Sequence, residues 1–548
     1  RFFIFTCTRG PRFMKIERQQ IKGYAYGAIQ PSLILRFSDV PSVTDILTIR
    51  LAELRESLPS FKDDNRFSAD SLLVDLDTAP AIYVIIIDIL NHHCGDQRFT
   101  PIKLFEEGGA LCFAIPTLSP AMSIFNANAL QPLLSNWGRG MIHEDIIEFA
   151  EKQKKQARRF LPAGTNAGNF IAAAAERKIP FNIFNQRYII FGYGSGSSIF
   201  SSSITDQESA IGVTLAKSKV DTNRLLKMSG FPVAEQTRVH TFEEAVSFAE
   251  KIGYPVVLKP EGEEQGRGVF ANIIDKTELK QCFDNASANY KSLILEKFIK
   301  GFSYRVHVHH GKVMDVWKME PASIIGDGNS SIRDLINVRN MTPEHNSINT
   351  SLKPIPIDNV TTLNLKKLGL TLSSIPSNGE KIILAATSNE SRGGTSQDFL
   401  SFLHPQNAEL CVQATQTLSL NISGVDLISE DASEPWRTNN TIVCEVNSQP
   451  QFGDLKHGSH LYHDIIERIP PNVTSIKLGV SKKFKQNSVN IFNKAVSKII
   501  IQCTPMYLLS HGSPAQYFDE ISFEDDVSVE ERRKLDSMVI KVLPILSL

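Results

Sequence analysis

YPVVLKPEGEEQGRGV, Tyr254 to Val269, is a short apolar strand that runs into a lysine and then into a glycine-rich turn. Pro255 to Leu258 form the apolar, β-branched run expected of a covered strand. Lys259 leaves that run where an ammonium can reach a phosphate. Gly266 and Gly268 let the following backbone approach a polyphosphate closely, with N–H groups turned towards it. No GKS or GKT follows the glycines, so this is not a Walker P-loop. A plain hairpin with a solvated lysine also fits, and the stretch alone leaves both readings open.

A second region bears on that choice. From Asn421 the chain reads NISGVDLISE, and from Thr441 TIVCEVNSQPQ. Both are short apolar strands carrying oxygen ligands, namely Asp426, Glu445 and Asn447. Glu445 and Asn447 are two apart, so on a strand their side chains share a face. Two carboxylates and an amide oxygen make a hard-oxygen set suited to Mg²⁺ beside nucleotide phosphates. A polar strand end beside a turn is the simpler reading of this region in isolation. Cys444, next to Glu445, is expected on the opposite face as a packing residue.

In this order the blocks resemble the ATP-grasp superfamily, and within it the ATP-grasp half of cyanophycin synthetase. SKVDTNRLLKMSGFPVAEQ is similar to the helix that opens the family's nucleotide domain. The lysine strand and the loop ending GRGV follow it. LILEKFIKGFSYRVHVHHGKVMDV resembles the adenine-hinge strand and the G-x-x-Y-R strand. MEPASIIGDGNSSIRDLI, SNESRGGTSQDFLSFLHP and EVN resemble the remaining blocks, over roughly residues 205 to 455. Weaker likeness extends upstream, to RGPRFMKIERQQ and to the connecting segment FIAAAAERKIPFNIFNQRYIIFGYGSGSSIFSSSITDQESAIG. GYGSG within it lacks dinucleotide-binding spacing and reads as a strand-to-turn element.

The resemblance implies a fold and a set of roles. The fold is α/β and α+β multidomain, with an ATP-grasp domain preceded by a cyanophycin-synthetase-like N-terminal α/β domain. Lys219 and Lys259 would contact the α- and β-phosphates of ATP. Gln265, Gly266, Arg267, Gly268 and Val269 would close over them as a lid, with Arg267 near the transferring phosphoryl. Backbone groups of Glu296, Lys297, Phe298 and Ile299 would meet adenine. Asp426, Glu445 and Asn447 would hold Mg²⁺. Arg305 and the loop carrying Ser391, Gly393 and Gly394 would face an acyl phosphate and the carboxylate substrate.

The activity implied is ATP-dependent carboxylate–amine ligation on an amino acid or short peptide. A glutathione-synthetase-like dipeptide ligase and a non-catalytic ATP-binding regulatory or scaffold protein are its rivals. The substrates would be small-molecule or peptide carboxylates and amines, and a second copy of the chain is a further partner to expect. Two departures bear on the substrate. The family's D-G-N-H before GRGV reads GEEQ here, and its S-T-G-G reads SRGG, which adds Arg392. The tail shows no P-loop for a Mur-ligase-like second ligation, so the full aspartate–arginine polymer is not expected from this chain alone.

Composition narrows the class. The 548 residues carry 58 basic and 59 acidic side chains, so no strong field draws the chain to nucleic acid or to acidic membranes. Seven cysteines lie scattered without CxxC pairs, which suits reduced thiols in a cytoplasmic setting. APAIYVIIIDIL, from Ala79, is too short to span a bilayer and reads as a buried strand. RFFIFTC at the start is too short for a signal peptide, and the sequons at Asn340, Asn421 and Asn472 are incidental without one. In HVHH, His307 to His310, strand alternation separates His307 and His309 from His310, which disfavours zinc.

The expected domains are an N-terminal α/β domain over 1–163, a connecting segment over 164–215, the ligase domain over 216–472, and a tail over 473–548. EDIIEFAEKQKKQARRFL, from Glu144, is an amphipathic surface helix. Asn337 to Asn378 reads as a polar, weakly periodic insertion. In the tail, SKKFKQNSVNIFNKAVSKIIIQ reads as a helix.

Overall fold

The computed structural model describes residues 2–7, 10–23, 25, 28–38, 79–136, 143–262, 268–342, 354–385, 392–453, 455–469, 475–480, 498–504, 507–508, 511, 520–523, 527–530 and 533. Its chain contacts define two compact units, one of Arg1–Ser201 with Ile466–Leu548 and one of Ser202–Ile465.

The first unit holds a five-stranded antiparallel sheet made of Phe2–Cys7, Gly10–Ile21, Ser32–Ser38, Ala110–Pro116 and Lys103–Glu107, in that order. The apolar run from Ala79 is not a strand. It forms the helix Ala79–His93, with Val84, Ile87 and Ile89 fully buried. A helix that is apolar all round is a buried one, and its continuous hydrophobicity hides the helical period. Length was the available signal, since fifteen residues exceed an ordinary strand. The amphipathic segment does form a helix, His143–Ala157, closed by a 3₁₀ turn at Arg158–Phe160.

Asp96 lies in this unit, 5% exposed. It accepts hydrogen bonds from Thr117 Oγ1 (2.6 Å), Leu118 N (2.8 Å) and Gln97 N (3.0 Å). Burial outweighs those bonds and pushes its carboxyl up to about 7.

The connecting region is richer in strands than expected. After the helix Thr165–Glu176 come Phe181–Ile183, Ile189–Phe191 and Ser198–Ser201 in one sheet, with GYGSG turning between two of them. Beyond residue 473, Ser475–Val480 pairs in parallel with both Lys498–Cys503 and Glu520–Phe523. The helix expected over 481–502 therefore fails at its end, where the β-branched run KIIIQC is a strand. Residues 481–497 lie outside the described set.

The second unit contains two larger sheets. In the first, Gln236–Val239, Leu293–Lys297, Val256–Pro260 and Phe270–Ile273 pair antiparallel in that order. Helices Phe242–Ile252 and Lys276–Ser287 bury Val246, Ala249, Leu279 and Phe283 in one core with Val256, Leu258 and Leu295. The first helix starts at a reciprocal cap between Thr241 and Glu244. The second sheet has the order Thr395–Asp398, Lys312–Glu320, Phe302–His309, Ile422–Ser429, Ile442–Asn447. Helix Pro405–Thr417 covers its apolar face.

Of the polar segment Asn337 to Asn378, residues 343–353 lie outside the described residues, and the described part carries helical structure. Helices Ile332–Asn340 and Asn359–Lys367 and the strand pair Ser323–Ile325/Lys381–Ile383 share a core of Ile332, Ile336, Ile355, Leu365, Ile382 and Leu384. Its apolar residues are too widely spaced in sequence to display one period. Among the described residues no helix is long and apolar enough to cross a membrane.

Candidate functional site

The strand Phe302–His309 sorts its side chains by parity. Tyr304, Val306 and Val308 enter the core, while Arg305, His307 and His309 alternate onto the other face. This accounts for HVHH. His309 Nδ1 lies 2.8 Å from Asp464, and the His307 ring meets Phe452 edge-on.

On that polar face Arg305 is directly opposite Asp426, and Asp426 is directly opposite Glu445. The Arg305 guanidinium grips both Asp426 oxygens, with Nη2 3.2 Å from Oδ2. Asn447 Nδ2 lies 3.4 Å from the same oxygen. Glu445 Oε1 is in turn 3.2 Å from Lys219 Nζ. Burial pushes the Asp426 carboxyl up, Arg305 pulls it down and the neighbouring Glu445 charge pushes it up again, with a net rise. Only glycine fits at Gly424, where a Cβ would stand 2.9 Å from Pro450 Cβ and 3.3 Å from Arg305 Cδ.

Simple alternation fails at Cys444. Leu427 pairs with Val443 while Asp426 pairs with Glu445, so Cys444 is the extra residue of a β-bulge. The bulge turns the thiol towards Lys259, Glu296 and Glu445 rather than away from them. Burial pushes this thiol up to about 12, so it stays protonated at neutral pH.

Lys259 Nζ is 2.7 Å from Glu296 Oε2, and the two side chains are 10% and 11% exposed. Burial alone would lower the Lys259 pKa, but Glu296, with Glu445 beyond it, holds it above the ordinary lysine value. The Glu296 carboxylate is thus a site residue in its own right, whereas the sequence pointed only to its backbone. Lys297 N and Phe298 N donate to Glu235 O (2.9 Å) and Pro255 O (3.1 Å). The Lys297 ammonium ties down Gly253 O and Tyr254 O at 2.9 and 3.1 Å.

Gln265, Gly266, Arg267 and Ser391 lie outside the described residues. Gly268 has φ +67°, and a Cβ there would stand 2.8 Å from Tyr290 Cε2 and 2.9 Å from Pro260 Cγ. Val269 lines a cavity of about 330 Å³ with Phe270, Cys282, Val360 and Leu363. Gly393, with φ +82°, would place a Cβ 2.3 Å from Ile355 Cγ1, and Gly394 leads into Thr395–Asp398. Arg392 is 7% exposed, with Nη2 2.8 and 3.0 Å from the Asp358 carboxylate that caps helix Asn359–Lys367. The structure therefore brings together Lys219, Lys259, Glu296, Arg305, Asp426, Glu445 and Asn447, while Arg392 and Gly393 are engaged with the helical segment.

The donor set fits a hard divalent cation. Asp426 and Glu445 are adjacent carboxylates that repel each other, and Asn447 adds an amide beside them. Among the described residues no three His, Cys, Asp or Glu side chains gather as a metal-binding group. Two carboxylates and an amide oxygen suffice for Mg²⁺, which usually completes its shell with phosphate oxygens and water.

Paired lysines, a carboxylate strand pair and two antiparallel sheets lie in the part of the chain that is similar to ATP-grasp domains. A family model described as an ATP-grasp domain matches residues 214–312, and one described as a RimK-like ATP-grasp domain matches 381–469. Within that class the chain is cyanophycin-synthetase-like. It is 32% identical over 320 residues to cyanophycin synthetase of Trichormus variabilis, across 57% of this chain and 35% of that protein. It is also 28% identical over 287 residues to the glutathione biosynthesis bifunctional protein GshAB of Clostridium perfringens, across 51% of this chain and 37% of that protein. The chain thus spans little more than a third of the length of these curated relatives.

Proposed function

We propose that this chain is an ATP-dependent carboxylate–amine ligase that forms an amide bond on an amino acid or short peptide. One observation carries the reading. The pairs Glu296–Lys259, Glu445–Lys219 and Asp426–Arg305 form one electrostatic chain, with Glu445 acting on both Lys259 and Asp426. Three cations are held ready for phosphates, and two adjacent carboxylates for metal.

Lys219 and Lys259 bind the α- and β-phosphates, and the Ile299 N–H meets adenine. A substrate carboxylate oxygen bonds to the γ-phosphorus as the bond to the β–γ bridging oxygen breaks, giving ADP and an acyl phosphate. Arg305 orients the transferring group and offsets its charge. The amine then bonds to the acyl carbon, the bond to phosphate breaks, and the amine proton is lost as phosphate leaves. Asp426, Glu445 and Asn447 would hold Mg²⁺, which would supply further charge neutralisation. The unpaired thiols of Cys94, Cys112, Cys282, Cys411, Cys444 and Cys503 suit a cytoplasmic site of action.

The likeness to GshAB favours a dipeptide ligase as the second reading. Phosphate release from Mg-ATP against a panel of amino acids and aspartyl peptides, with mass spectrometry of the products, tests both. A product lighter by one water than its two substrates establishes ligation and names the pair. ATP binding without release for any pair would leave a regulatory nucleotide-binding protein.

A further inference from the structure

Across the five-stranded sheet the residues in register form a single line. Asp398 is opposite Trp317, Trp317 opposite Arg305, Arg305 opposite Asp426 and Asp426 opposite Glu445. Directly opposed side chains of antiparallel strands share a face. The line therefore starts at the carboxylates placed against metal and phosphate, and continues for two strands beyond Arg305.

That far half has its own chemistry. The Trp317 indole donates from Nε1 to Asp315 Oδ2 at 2.5 Å, and Asp315 is 3% exposed, so the ring is anchored from within the sheet. His307 stands opposite Asp315 with Nδ1 3.7 Å from its carboxylate. It is 3% exposed, and neither ring nitrogen has a hydrogen-bond partner. Asp398, at the outer end, is exposed and accepts from Leu400 N at 3.0 Å. An anchored indole thus lies between Arg305 and an exposed carboxylate.

We infer that Trp317 and Asp398 set the specificity for the amine substrate, and that this substrate carries a second, cationic group. The inference rests on the ligase reading above and extends it to a substrate class. Charge decides which substrate extends this way. A carboxylate donor lying past Arg305 would meet Asp398, whereas a cation is attracted both to an indole face and to a carboxylate. Arg305 and Asp398 are two strand spacings apart, about 10 Å. The reacting amine sits beside Arg305 and the second cation beside Asp398, a reach that suits a diamino acid or a short basic peptide. Trp317 is the specificity-determining surface, and Asp315 is a positioning residue that holds it.

Lysine and norleucine separate the charge from the shape. Each is titrated calorimetrically into the full chain loaded with Mg²⁺ and a non-hydrolysable ATP analogue. Lysine is expected to bind at least about tenfold more tightly than norleucine. Asp398→Asn removes most of that preference, while the affinity for the nucleotide analogue stays unchanged. Trp317→Leu weakens lysine by about tenfold or more, and Trp317→Phe restores most of the loss. Because Asp398 is exposed, its variant tests the inference even where Trp317→Leu fails to fold. No lysine binding, equal binding of the two amino acids, or a parallel loss of nucleotide affinity in the Asp398 variant would overturn it. Phosphate release measured alongside keeps the two readings apart: selective lysine binding without release from any carboxylate retains the amine subsite and removes the ligase.

Discussion

Asp96 in the first unit and Asp426 in the second are both acids whose carboxyls burial holds above the ordinary range. Their partners differ. Asp96 accepts from one hydroxyl and two backbone N–H groups, all neutral, and no cation among the described residues bonds to it. Asp426 faces a guanidinium, an amide and a second carboxylate, and its side chain is 25% exposed. A raised acid is therefore not by itself a mark of chemistry. Asp96 is satisfied by a closed set of donors that fixes two loops, whereas Asp426 belongs to a charged set that a ligand can rearrange.

The contrast can be broken most sharply at Glu445. Glu445→Gln is expected to abolish amine-dependent ADP release, with an unchanged far-UV circular dichroism spectrum; retained turnover would remove the metal assignment. The next effect in size concerns Lys259. Removing it alone would strand Glu296 in a buried position, so the informative variant is Lys259→Met with Glu296→Gln. ATP binding should weaken by about 2–3 kcal/mol, and unchanged affinity by calorimetry would take Lys259 out of the site.

A smaller loss is expected from Gly393→Ala, which forces a methyl onto Ile355 at a positive φ. A fall in stability of about 1–3 kcal/mol should appear in denaturant unfolding, and no change would contradict that close approach.

The subtlest test is the pH dependence of Asp96. Its folded pKa of about 7 lies above the ordinary carboxylate value of 3.8, so between those values the folded state holds a proton that the unfolded state releases. The cost of the charged form is thus fully present above about pH 7 and is relieved as pH falls through 7 towards 4. Asp96→Asn keeps the acceptor and removes the charge. The variant should gain more at pH 8 than at pH 5, by about 1–3 kcal/mol in denaturant melts. A constant difference across that range would mean that Asp96 titrates normally. ADP release should respond to Glu445→Gln and not to Asp96→Asn, and the reverse pattern would collapse the distinction between the two acids.

Local patterns pointed to much of the candidate site. Lys259 ends an apolar run, and Glu445 and Asn447 share parity on a strand, so both were visible in short windows. What stayed hidden depends on pairing between distant strands. Nothing near Lys259 announces Glu296, which lies on the neighbouring strand with Glu296 opposite Val257. The line through Trp317 and Asp398 needs a register joining residues more than eighty positions apart. One signal was present, since Trp317 shares the parity of Asp315 on its strand and sits opposite the polar residues of FSYRVHVH. The bulge at Cys444 reversed an expectation because one inserted residue breaks the alternation on which parity rests. The helix Ala79–His93 was misread for the opposite reason, that a run buried on every side shows no period at all.

The two edges of the five-stranded sheet differ in how much they can change. On Ile442–Asn447 the side chains of Ile442, Val443 and Val446 are buried, so substitutions there disturb the core. On Thr395–Asp398 no residue is buried. Inherited variation on that open edge costs little stability, because few contacts are lost with each side chain. On the proposed reading, a duplicated copy of this gene could thus alter its amine preference one exposed residue at a time, while the proposed nucleotide end stays under the constraint of packing. The same sheet would keep its energy source constant across a lineage and let its product diversify.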